Sequence, residues 1–208
     1  MITVRKGNAG FTLTEMMVVV VILSLLAALS TPLFSRDNAA RKGRDWAKIV
    51  AQILQRARFQ AMGDRADIHV VLYRGHVDTF RRETAGTYTL LSSVQGPVAY
   101  DTTNTTKTVA IWDARVNDPT TLPTGPNVPT GGTLPASPAP TTLPAASDIV
   151  FTSVGSVTTS ANTTTPATWR IFLRNELLPP GHPDASFVIN VTGLTGFITS
   201  NDKVVLQP

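Results

Sequence analysis

The chain has 208 residues, a formal net charge of +4 and 42% hydrophobic residues, enough for one domain with a modest core besides a membrane segment. It holds no cysteine, which excludes disulfides, thiolate metal sites and cysteine nucleophiles. The positive charge is local: Arg36, Arg41, Lys42, Arg44, Lys48, Arg56 and Arg58 outnumber Asp37 and Asp45 over residues 36–58, so overall basicity does not by itself point to nucleic acid.

Residues 1–10 form a short leader with Arg5 and Lys6 and no acid, ending in Gly10 directly before Phe11. Between Glu15 and Arg36 stand twenty residues without a charge. As a helix rising about 1.5 Å per residue that run is roughly 30 Å long, the thickness of a hydrocarbon core. A transmembrane segment is therefore expected at 11–34, with the leader cations on the cytoplasmic side and the rest exported. A secretory signal would need a cleavage site of small residues after the apolar run, which Ala27-Ala28-Leu29-Ser30 imitates weakly. Glu15 sits at the edge of the span, where a carboxylate is costly unless paired, so it marks a functional position. The competing reading is that it snorkels to the headgroups.

Gly10-Phe11-Thr12-Leu13-Thr14-Glu15 resembles the processing site of type IV pilins and type II secretion pseudopilins. The resemblance implies cleavage between Gly10 and Phe11 by a prepilin peptidase and N-methylation of Phe11. It also implies an assembly role for Glu15, paired with the amino terminus of a neighbouring subunit and setting register, and a helix-bending role for Pro32. The partners it implies are the inner membrane and other minor and major pilins or pseudopilins. The head would be periplasmic before assembly and sit at a pilus or pseudopilus tip after it.

Residues 35–63 read as the second half of the same helix, about 78 Å from Phe11 to Met62 if continuous. Ala39, Gly43, Trp46, Ile49, Val50, Ile53, Leu54, Ala57 and Ala61 make one apolar stripe, with Trp46, Ile49 and Ile53 expected against a sheet. Pro32 removes a backbone donor, so a kink or local melting is expected there, and Gly63-Asp64 is a plausible stop. The cationic face suits either a solvated surface near anionic lipid or docking to acidic neighbouring subunits.

The pattern over 64–208 becomes that of a β-rich head. Ile68, Val70 and Leu72 alternate with His69, Val71 and Tyr73, and Arg74-Gly75-His76 turns into a strand at 77–82. Further strands are expected at 88–94, 109–116, 149–152, 169–174, 187–191 and, weakly, 204–206. Residues 117–147 hold eight of the fifteen prolines and read as a long exposed loop within the head. The fold class is thus α+β, a long N-terminal helix packed on an antiparallel β-rich head. Ile149-Val150-Phe151 through Gly155 and Val157 resembles a hairpin of the GspH/FimT/FimU class of minor pilins and pseudopilins. Residues 187–198 resemble the terminal strand, turn and strand of that class, with Trp169-Arg170-Ile171-Phe172-Leu173 between.

No catalytic constellation is present, and no cofactor is implied. His69, His76 and His182 fall on a strand, a turn and a Pro-Gly loop, and a His69–His76 pair across a hairpin would be a surface pair without a carboxylate. Phosphate loops, HExxH and GxSxG are missing. Asp113, Asn117 and Asp118 lack the spacing of a calcium loop. DNA-uptake relatives of the FimT type carry a Gly-Arg-x-Arg tract near the C-terminus, where this chain has Gly196 to Asp202 with Lys203 alone basic, so no specific nucleic acid is expected. The sequence therefore reads as a minor pilin or pseudopilin and not an enzyme. A DNA-binding competence pilin and a single-span exported protein that never polymerises are the alternatives.

Overall fold

Among the described residues a single helix, α1 (Leu13–Asp64), precedes nine strands, and every strand pairing is antiparallel. The structure, a computed structural model, describes residues 11–84, 86–97, 108–117, 148–179 and 181–201, with only the backbone described over 29–36. The leader, all but Asn117 of the loop expected at 117–147 and the weak strand expected at 204–206 lie outside the described residues. The chain divides into two compact units, Met1–Asn38 and Ala39–Pro208.

In the first unit the helix begins at Leu13 and keeps a helical backbone through Pro32, so the local melting expected there does not occur. The side chains over 11–28 are exposed on every side of the helix. Among the described residues no helix is long and apolar enough to cross a membrane. The described apolar side chains stop at Ala28, before the uncharged run of the sequence reaches Arg36.

In the second unit the strands are β1 (Ile68–Leu72), β2 (His76–Arg82), β3 (Tyr88–Gln95), β4 (Val109–Val116), β5 (Asp148–Phe151), β6 (Val157–Thr159), β7 (Trp169–Asn175), β8 (Ser186–Val191) and β9 (Ile198–Asn201). They form a five-stranded sheet in the order β3-β2-β1-β5-β6 and a four-stranded sheet in the order β4-β7-β8-β9. Strand alternation decides which side chains meet the helix. Ile68, Val70 and Leu72 of β1 and Ile149 and Phe151 of β5 join Trp169, Ile171, Leu173, Phe187 and Ile189 of the second sheet in one core. Trp46, Ala47, Val50, Leu54, Ala57 and Ala61 of α1 close that core.

Two details fix how the helix enters and leaves the head. Gly43 lets α1 approach β7 closely, because a Cβ there would meet Asn175 Nδ2 at 2.6 Å and the Phe187 ring at 3.0 Å. Buried Asn175 uses that nitrogen to donate to the Ala39 carbonyl at 2.8 Å. The helix ends at Asp64, within the expected Gly63-Asp64 stop, and Arg65 follows with a left-handed φ of 51°, with Ala66 N–H bonded back to the Ala61 carbonyl at 3.3 Å. That 6→1 bond is the Schellman stop, with arginine where glycine is usual.

Ile49 departs from the expected stripe and stands exposed beside the cations of α1. Its position lies about 60° around the helix from buried Trp46 and about 100° from buried Val50, on the outer side of both, so the core takes its neighbours and leaves it outside.

Candidate functional site

At the amino terminus Phe11 is 81% exposed and precedes the first helical turn. Gly10, the other half of the processing pair, lies outside the described residues. Thr12 and Glu15 form a capping box. Glu15 Oε2 accepts from the Thr12 N–H and from the Thr12 hydroxyl, both at 2.9 Å, and Glu15 N–H donates to Thr12 Oγ1 at 3.3 Å. Glu15 is therefore not a carboxylate without partners in its own chain: it holds the start of α1. Oε2 takes both bonds, leaving Oε1 for a further donor. The Thr-x-x-Glu spacing carries that signal in the sequence.

Around this group the helix is apolar on all sides. Met16, Met17, four consecutive valines, Ile22, Leu23, Leu25 and Leu26 are each between 44% and 62% exposed. Pro32 lies within the helical backbone, where it cannot return a hydrogen bond to the Ala28 carbonyl. A helix that is apolar all round has no polar face to turn to water, the pattern of a buried or membrane-spanning helix.

The head carries a second cluster that corrects the reading of the histidines. His69 and His76 do not form a surface pair. His69 is buried on β1 and its Nδ1 lies 3.0 Å from Asp148 Oδ2 on β5, which is buried too. The cross-strand register explains this, since Val71 opposes Asp148 and His69 opposes Val150, so all four share one face of the sheet. His76 stacks on Tyr73 with ring centres 4.3 Å apart, and its Nε2 is 3.5 Å from Asp78. Burial, then the Asp78 and Asp148 carboxylates, push the Tyr73 hydroxyl above its ordinary range. Sequence spacing gave no hint of the His69–Asp148 contact, because 79 residues separate the two.

None of the remaining polar candidates converges. His182 is 4.0 Å from Asp184 in the loop before β8. Asp113 is engaged by Arg115, and Asn117 accepts from Thr168 N–H at 2.9 Å, which leaves no calcium ligand set there. Asp118 lies outside the described residues, as does Lys203. Among the described residues no group of three or more His, Asp or Glu side chains could hold a metal ion. A cleft of about 150 Å³ between α1 and β2–β3, lined by Ile53, Arg56, Ala57, Thr79, Leu91 and Val94, is smaller than the ~300–1,000 Å³ of ordinary small-molecule sites.

The β5–β6 and β8–β9 turns meet over the last turns of α1. Gly155 and Gly196 have φ of 81° and 61° there, and a Cβ on Gly196 would strike the Gly155 carbonyl and the Arg58 side chain. The two turns carry Val154, Leu194 and Phe197 outward, all exposed and with no charged residue among their neighbours in the turns.

The family model described as the prokaryotic N-terminal methylation motif matches residues 5–31. No curated protein and no solved structure matches the chain. The matched stretch spans the Gly10–Phe11 junction, the capping box of Thr12 and Glu15, and most of the all-apolar helix. Such a motif implies processing by a prepilin peptidase and assembly with other pilins. The chain thus carries a prepilin-type amino-terminal signal, which indicates a type IV pilin-like protein.

Proposed function

We propose that the chain is a minor pilin or pseudopilin of the GspH/FimT/FimU type, a structural subunit of the tip or priming complex that initiates a type IV pilus or a type II secretion pseudopilus. In this reading it performs no catalysis. It spans the inner membrane through residues 11–34, is cut after Gly10, is methylated on Phe11, and joins other subunits through the apolar half of α1.

The observation that carries the reading is the exposed, all-round apolar helix directly behind a processing motif. Lipid covers such a helix before assembly and neighbouring helices cover it afterwards, so moving between the two costs little apolar exposure. Glu15 adds direction. Its Oε1 accepts the new amine of a neighbouring Phe11 while Oε2 stays on Thr12, which ties subunit register to processing. The head supports the narrower assignment. Ile149, Phe151, Gly155 and Val157 sit on the β5–β6 hairpin, and residues 187–198 run through β8, its turn and into β9, the pattern that resembles this class.

Mass spectrometry of the amino terminus from the native membrane is the test, made on the natural chain and on Glu15→Ala. The natural chain is expected to begin at methylated Phe11. Glu15→Ala is expected to insert and be cut normally, yet to be lost from the sheared filament or tip fraction. An intact Met1 in cells with an active peptidase overturns the assignment, and recovery of the variant at the natural level overturns the role of Glu15.

A further inference from the structure

The exposed face of α1 in the second unit is charged in one sense. Arg41, Lys42, Arg44, Lys48 and Arg56 are all exposed, against one acid, Asp45, on the same stretch. Among the described residues none of the five cations has a carboxylate partner. At about 100° per residue, Arg41, Lys48, Gln52 and Phe59 line up along the side of the helix opposite Val50 and Leu54. Lys42, Ile49 and Arg56 form a neighbouring row at spacings of seven. From Arg41 to Arg56 the face runs about 22 Å.

This face is not a plain cation patch. Two large apolar side chains stand among the charges, Ile49 at 38% and Phe59 at 64% exposure. Along its edge opens the cleft of about 150 Å³, floored by Ile53, Ala57, Leu91 and Val94 with Arg56 on its rim. Thr79 Oγ1, buried and without a hydrogen-bond partner, faces the same lining. Lipid headgroups and nucleic-acid phosphates would satisfy the cations but would leave the apolar cleft and Phe59 uncovered. A second copy docked through the same face would set cation against cation. A helix bearing carboxylates in rows seven apart, with one bulky apolar side chain to enter the cleft, satisfies all of these features.

We infer that this face docks an acidic amphipathic helix of a different pilin-like subunit, so that the chain enters its assembly singly among unlike partners and does not stack on itself. The inference rests on the pilin-like reading above and names the partner that reading leaves open. Arg41, Lys48 and Arg56 supply attraction and register, and Ile49, Phe59 and the cleft supply the buried apolar contact.

The absence of cysteine permits a clean test. Gln52 lies at the centre of the exposed face, and a full-length Gln52→Cys chain is labelled with a maleimide-benzophenone, which reacts with any nearby C–H bond. It is photolysed in membranes and sheared fractions of the native host, and the adducts are identified by mass. The expected product is a cross-link to another subunit with the same amino-terminal motif, through an acid-rich helical segment. The triple variant Arg41→Glu, Lys48→Glu, Arg56→Glu is expected to reduce that product roughly tenfold, while its amino terminus is still cut after Gly10. Adducts chiefly on phospholipid, on nucleic acid or on a second copy overturn the inference, as does a protein adduct untouched by the charge reversal or no adduct at all. An uncut terminus in the same samples overturns the pilin-like reading itself, and this inference with it.

Discussion

His69 and Asp148 show how a single contact ties distant strands together. Each side chain is buried, and the 3.0 Å contact between them spans β1 and β5, which pair in one sheet although 79 residues separate the two side chains. Replacing His69 by Leu leaves the Asp148 carboxyl buried without its partner, which costs about 3 kcal/mol. Replacing both by Leu removes the unpartnered group and is expected to recover most of that loss. A double-mutant cycle followed by urea unfolding measures the coupling, and additivity of the two single changes would show that the contact carries nothing. Glu15 makes the complementary point. The sequence marks it as a carboxylate at a membrane edge, while the folded chain shows it also at work as the second half of a helix cap.

The elements are set by local rules, with exceptions where two elements meet. Strand alternation predicted the inner residues of β1, and the hairpins implied by the resemblance at 149–157 and 187–198 fall where β5–β6 and β8–β9 lie. The helix stops at Asp64, within the Gly63-Asp64 pair the sequence marks, and the left-handed turn that follows falls on Arg65, where the Ala66 to Ala61 bond sets the cap without a glycine. The two turns over the end of α1 depend on backbone contact. Gly196 is both left-handed and too close to the Gly155 carbonyl for any side chain. Gly196→Ala should therefore cost about 2–3 kcal/mol and separate the turns. Its urea midpoint falls relative to the natural chain if the packing is as described, whereas Gly181→Ala, with open space around its Cβ position, should show only the smaller cost of its positive φ.

At the scale of the molecule, one hydrophobic cluster runs from α1 through both sheets. The clusters that stand apart from it are small, Val71, Tyr73 and Phe80 on the five-stranded sheet and Phe172 and Val188 on the four-stranded one, so the head is expected to unfold as a unit with no stable half. Buried Trp46 on the helix and Trp169 on β7 report from different elements of that cluster. In neutral detergent, tryptophan fluorescence and far-ultraviolet circular dichroism of the full chain should give the same urea midpoint for the head. Transitions that separate would show that helix and sheets hold together independently. With no disulfide available, this shared core is what keeps the head folded.

The sequence by itself determined the features that short-range chemistry decides. These are the processing motif, the twenty-residue uncharged run, the helical stripe and the alternation that marks strands, each readable from residues a few positions apart. Only the tertiary structure decided which distant groups meet. The His69–Asp148 contact, the division of nine strands into two sheets, the close approach that Gly43 permits and the exposure of Ile49 beside unpaired cations all depend on long-range packing. Local propensity fixes where a chain turns and which face is apolar, but pairing across 79 residues is chosen by the burial of the whole core, and no window of sequence contains that information.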